Sequence, residues 1–273
     1  MSAQRLGNLL WIHTLALGIG GLLFFLLPKE SATFWPWPLP QLAARFLGSL
    51  FVGGAVCSLV LARARDDRGW FVLVLLAAGD LLIALIGLLA LPDIGLTPAM
   101  LGFLLFFAGL AVLLALTVLP AIRVAVDHTG TPTPRALRAF FLVHLLLVLP
   151  VGVSMYCQPS WAQSLWPWTM SPTNVRLIGS FFFGAAFISI WASRQRFREE
   201  LQPTLALYAV FATLATIASL IHLNLFDPAR IATWAFFALY VSVATGSWVF
   251  WLRFAMSGRH ADPRSAREGT IWR

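Results

Sequence analysis

Charge is what this chain has least of. Only 11% of its 273 residues are Asp, Glu, Lys or Arg, less than half of the roughly 25% that a soluble globular protein carries. So few charges cannot cover a water-facing surface. The two cysteines, Cys57 and Cys157, exclude a disulfide framework and a cysteine-rich metal site, and read as packing residues. There is no phosphate loop, no zinc-ligand spacing and no nucleophile elbow. No loop gathers an acid, a base and a nucleophile, which disfavours an enzyme. Strict apolar–polar alternation is also missing, which excludes the strands of an outer-membrane barrel.

What is present is long apolar runs. Hydrophobic residues make up 59% of the chain and the mean hydropathy is +0.82. A helix needs about 20 apolar residues to cross ~30 Å of hydrocarbon. Eight runs qualify, at residues 8–28, 41–62, 70–91, 98–120, 137–157, 172–193, 203–223 and 229–252. The first could pass for a signal peptide, but its length and its internal counterpart in a repeat argue for a retained helix. Of the 19 basic residues, 15 fall before the first run, in alternate loops or after the last. Lys29, Arg45, Arg176 and Arg230 lie on the other side. By the positive-inside rule both termini face the cytoplasm. The formal charge of +8 is then a topology signal, with added attraction to anionic lipids at the cytoplasmic face. Nucleic acid is not an expected partner; other membrane subunits or a second copy are. Arginine in place of lysine and abundant alanine point to a GC-rich bacterial genome and its inner membrane.

A repeat organises the chain. FWPWPLPQLAARFLGSLFVGGAVCSLVLARAR, from Phe34, returns as LWPWTMSPTNVRLIGSFFFGAAFISIWASRQR, from Leu165, with 12 identities in 32 positions. The same offset of 131 pairs His13 with His144 and Pro28 with Pro159. The expected fold class is an all-α integral membrane protein, its eight transmembrane helices forming two parallel tandem repeats of four related by a pseudo-two-fold axis along the membrane normal. The units are 1–128 and 129–256, followed by a flexible basic tail, 257–273. Thr97-Pro98, Ser171-Pro172 and Asp227-Pro228 read as N-caps with proline at the first helical position.

Within the repeat, the Trp-Pro-Trp turns suit an aromatic belt at the outer interface, with a ligand-gripping lid as the alternative. Arg45 and Arg63 are 18 residues apart, ~27 Å of helix, so Arg45 and its counterpart Arg176 read as interfacial anchors or as an outward anion site. Gly48, Ser49 and Gly53, with Gly179, Ser180 and Gly184, form small-residue faces suited to close helix contact. These faces are expected near the axis.

Candidate chemistry lies at polar groups within the membrane. Asp80 is the costliest, at about 2.5–3.5 kcal/mol on insertion scales, and its counterpart at offset 131 is Phe211. A proton or cation relay is one reading, a protonated acid bonded to a neighbouring helix the other. His13 and His144, at matched depth, are packing residues or axial ligands of haem or chlorin. Thr213, Thr216 and Ser219 join helices or line a wet cavity. Three functions compete: a permease-like or small-ligand-binding module with a site between the repeats at Asp80, His13, His144, Ser49, Ser180, Arg45 and Arg176; a structural or assembly subunit; and a redox or pigment protein.

Overall fold

The computed structural model describes residues 3–63, 71–122 and 130–259. Ten α-helices occur among them: α1 (Ala3–Leu26), α2 (Pro28–Ala32), α3 (Gln41–Arg63), α4 (Phe71–Ile94), α5 (Pro98–Ile122), α6 (Arg135–Cys157), α7 (Pro159–Leu165), α8 (Pro172–Arg194), α9 (Gln202–Ile221) and α10 (Ile231–Arg259). Seven helices are long and apolar enough to cross a membrane, and Leu10–Leu26 of α1 forms a shorter apolar helix. The outward faces of α1, α6 and α10 expose large apolar side chains such as Leu15, Leu146 and Trp234. A helix that stays apolar on its exposed side belongs in lipid, so this is a helical, multi-pass membrane protein. Residues 260–273 of the basic tail, with Arg65, Arg68 and Arg123 of the basic loops, lie outside the described residues.

Proline sets the order of elements. A residue before proline is pushed out of the helical region, and Leu27 (φ −120°, ψ 59°) and Gln158 (φ −131°, ψ 62°) sit in the same non-helical conformation. The long helices α1 and α6 therefore stop there, and short helices start at Pro28 and Pro159. Thr97 accepts from the Met100 amide at 3.1 Å and Ser171 from the Asn174 amide at 3.3 Å, as their cap readings require. Asp227 departs from its expected role. It accepts from the Ala229 amide at 2.9 Å, yet α10 starts only at Ile231, so Asp227-Pro228 is a turn rather than a helix start.

α1 packs along α3 and α6 along α8, α4 along α5 and α9 along α10; the halves meet where α3 crosses α9 and α4 crosses α8. Close approach in lipid needs small residues. A Cβ on Gly48 of α3 would lie 2.6 Å from the Phe25 nitrogen and 2.7 Å from the Gly21 carbonyl oxygen of α1. On Gly179 of α8 it would lie 2.9 Å from the Met155 Cβ of α6. Gly48 and Gly179 thus serve contacts within each half, while Gly53 of α3 meets α9 of the other half, and α3 does not meet α8 through these faces.

The tryptophan turns also differ from expectation. Trp35, Trp37, Trp166 and Trp168 are only 5–9% exposed and face protein instead of forming an interfacial belt. Trp35 and Trp37 pack edge-on against Phe103 of α5 at 5.0 and 5.1 Å. Trp166 and Trp168 do the same against Phe236 of α10 at 5.9 and 5.3 Å. Trp161, just before the second turn, is exposed. Trp37 Nε1 donates to Asn174 Oδ1 (3.0 Å), and Asn174 Nδ2 donates to the Pro38 carbonyl (3.0 Å), tying the first turn to the start of α8.

Candidate functional site

Two cavities lie within the helix bundle. The larger, about 70 Å³, is walled by α1, α3, α4, α8 and α9 and therefore by both halves; Asp80, His13, Ser180 and Tyr208 are among its lining residues. The smaller, about 30 Å³, is bounded by α6, α8, α9 and α10 and includes His144, Tyr208 and Tyr240. About 10–15 Å³ of such space holds one water, so the larger admits several and the smaller two or three.

Glycine accounts for the larger cavity. Gly79 on α4 and Gly184 on α8 both line it, and a Cβ built on either would meet nothing within 4 Å. Asp80 follows Gly79 directly, near the middle of α4. Among the described residues Asp80 has no hydrogen bond or ion pair. The expectation of an acid bonded to a neighbouring helix is thus not met, and Asp80 lines open space instead.

The two histidines are held alike. His13 Nδ1 is hydrogen-bonded to Ser58 Oγ at 2.7 Å, and His144 Nδ1 to Ser189 Oγ at 2.9 Å, each across 45 residues of sequence. His13 Nε2 is buried without a partner. On the other side Ser189 also meets Tyr208 Oη at 3.3 Å, and Tyr208 donates to the Ala185 carbonyl at 2.9 Å. Tyr208 therefore borders both cavities while its hydroxyl stays committed to α8.

The other hydroxyl candidates are bonded within their own helices. Ser49 donates to the Arg45 carbonyl at 2.7 Å within its own helix, and does not line the cavity. Ser180 does line it, but its hydroxyl donates to the Leu177 carbonyl at 2.7 Å. Thr213, Thr216 and Ser219 likewise donate to carbonyls four residues back, at 2.7–2.8 Å. Thr213 also accepts from Trp248 Nε1 at 3.0 Å, which joins α9 to α10.

Arg45 has protein partners. Its Nε donates to the Phe25 carbonyl at 3.1 Å, and its Nη1 donates to His222 Nε2 just beyond α9. A guanidinium has no acceptor, so His222 Nε2 must be unprotonated for this bond. Burial first, and the Arg45 charge second, lower the His222 pKa below its ordinary value. Arg176 is half-buried on α8, near Tyr156 of α6, and carries no hydrogen bond among the described residues.

The histidine pair does not fit haem or chlorin. His13 and His144 border separate cavities, and neither volume approaches the 300–1,000 Å³ of ligand pockets. Among the described residues no group of three or more His, Cys, Asp or Glu could hold a metal ion. Tyr208, Ser58, Ser189 and the Gly79–Gly184 gap went unrecognised as site components in the sequence. Ser58 and Ser189 carried a signal, since they are repeated identities 45 residues beyond the repeated histidines.

No protein-family model, curated protein or solved structure matches this chain.

Proposed function

We propose that the chain is an eight-helix protein of a bacterial inner membrane that binds or passes a small ligand at the cavity around Asp80. The arginine distribution supports two parallel four-helix repeats with both termini in the cytoplasm. The twin proline breaks, the twin tryptophan clusters and the twin histidine–serine bonds support the repeat.

One observation carries the ligand reading. Asp80, unpaired, faces a cavity that neither half builds alone. A carboxyl left unpaired in hydrocarbon is expensive, and ionisable groups retained there usually serve transport or proton relay. With about 70 Å³ available, the ligand is no larger than a hydrated proton, a monovalent cation or ammonium, and Asp80 supplies its counter-charge. Dicyclohexylcarbodiimide, an apolar reagent that traps protonated carboxyls, tests this. At mildly acidic pH, peptide mapping should find one adduct at Asp80, lost in Asp80→Asn and slowed by the bound cation. An unlabelled Asp80 would count against the proposal.

The small volume favours a second reading, a structural or assembly subunit. Native mass spectrometry from mild detergent would then retain a foreign subunit in fixed ratio.

A further inference from the structure

The face that carries the tryptophan turns holds a second pair of adjoining spaces, remote from Asp80. Ser160 and Gln163 of α7, Thr169, Asp227 and Arg230 enclose a polar pocket of about 520 Å³. An apolar groove of about 720 Å³ runs between α6, α7 and α10, and Pro167 lines both spaces. The groove wall on α10 presents Ala232, Ala235 and Ala238. Its two hydroxyls are already used: Ser154 donates to the Val151 carbonyl at 2.9 Å and Ser242 to the Leu239 carbonyl at 2.9 Å. In the first half, Phe106 and Phe107 of α5 instead lie against Phe51 of α3, ring centroids 6.4 and 6.0 Å apart.

We infer that pocket and groove together bind one zwitterionic phospholipid, such as phosphatidylethanolamine, from the leaflet at this face. The pocket offers one cation and one anion. Arg230 Nη1 donates to the Trp166 carbonyl at 2.9 Å and its Nε lies 3.7 Å from Asp227 Oδ2. Of the five guanidinium N–H groups, those of Nη2 and the second of Nη1 remain for a phosphodiester, a planar donor set suited to phosphate oxygens. Asp227 faces the ammonium. A lipid with net negative charge would bring its phosphate to Arg230 without anything to offset Asp227. The side chains of Ser160, Gln163 and Thr169 have no hydrogen-bond partners among the described residues and complete the headgroup contacts. One acyl chain fills the groove, whose rim residues Leu147, Trp161 and Leu165 are exposed where lipid would stand.

The test uses the full-length protein in mild detergent, offered equal amounts of synthetic phosphatidylethanolamine and phosphatidylglycerol, with retained lipid weighed by native mass spectrometry. One phosphatidylethanolamine per chain is expected, in about tenfold excess over phosphatidylglycerol, the scale of one charge-assisted contact. Arg230→Gln should remove that preference. Ala235→Phe with Ala238→Phe should abolish retention; both alanines are exposed, so the filled groove loses no existing packing and the melting temperature is maintained. Equal retention of the two lipids, no retained lipid, a homodimer with the groove empty of lipid, or retention that survives the filled groove would each overturn the assignment.

Discussion

The halves cross twice, and the two crossings are finished differently. Where α3 meets α9, Gly53 lies against the Leu207 carbonyl and the Phe211 Cβ, both 3.1 Å from a Cβ built on it. Where α4 meets α8, Gly184 and Gly79 have nothing within 4 Å, and the carboxyl of Asp80 borders the resulting space. One crossing spends its glycine on close packing; the other leaves a void and places an acid beside it. Packing that would fill this space is withheld only at the second crossing, which is why the cavity, not the histidine pair, is the better candidate for function.

Substitutions can break that contrast. Phe211→Ala should be the most damaging, costing about 3 kcal/mol as an aromatic lost from a packed crossing, read as a fall in melting temperature. Gly53→Ala overpacks the same crossing and should cost about 1–3 kcal/mol. Asp80→Leu should raise stability by about 1–2 kcal/mol, because an unpaired carboxyl within an apolar span is replaced by an apolar side chain. A fall instead would show that the carboxyl holds the fold. Gly184→Ala, with open space around its Cβ, should be neutral or stabilise by up to about 1 kcal/mol through helix propensity, in contrast to Gly53→Ala.

A smaller effect tests the Arg45–His222 contact at the end of the filled crossing. The folded pKa of His222 is lowered, so between that value and the ordinary ~6.5 the unfolded chain binds more protons. Stability is therefore retained above ~6.5 and declines as pH falls through that window. Melting temperature followed from about pH 7.5 to 5 should decline less in His222→Gln than in the parent.

How much of this was legible depends on whether a property is local. Apolar length and the proline breaks at Leu27 and Gln158 act over a few residues, so the helices and their stops are readable. Burial of Trp35 and Trp166 depends on Phe103 and Phe236, more than 60 residues away in each half, and an indole beside a turn suits lipid or protein equally. Arg45 illustrates the same limit: its spacing from Arg63 places it at an interface, while its partner comes from the end of α9. The Asp227-Pro228 pair resembles a helix start, but Arg230 and Thr233 complete a turn there: Thr233 donates to the Asp227 carbonyl at 2.7 Å. Asp80 was legible as costly, since any acid in hydrocarbon is; its lack of a partner was not.

Sequence alone determined a helical membrane chain with repeated segments and one anomalous acid, because hydrophobic length, proline geometry and the cost of charge in lipid act residue by residue. Tertiary structure alone decided which glycines close an interface and which leave space, and whether a polar group finds a partner. Those outcomes depend on what the facing helix brings to within about 4 Å, the range over which packing contacts form.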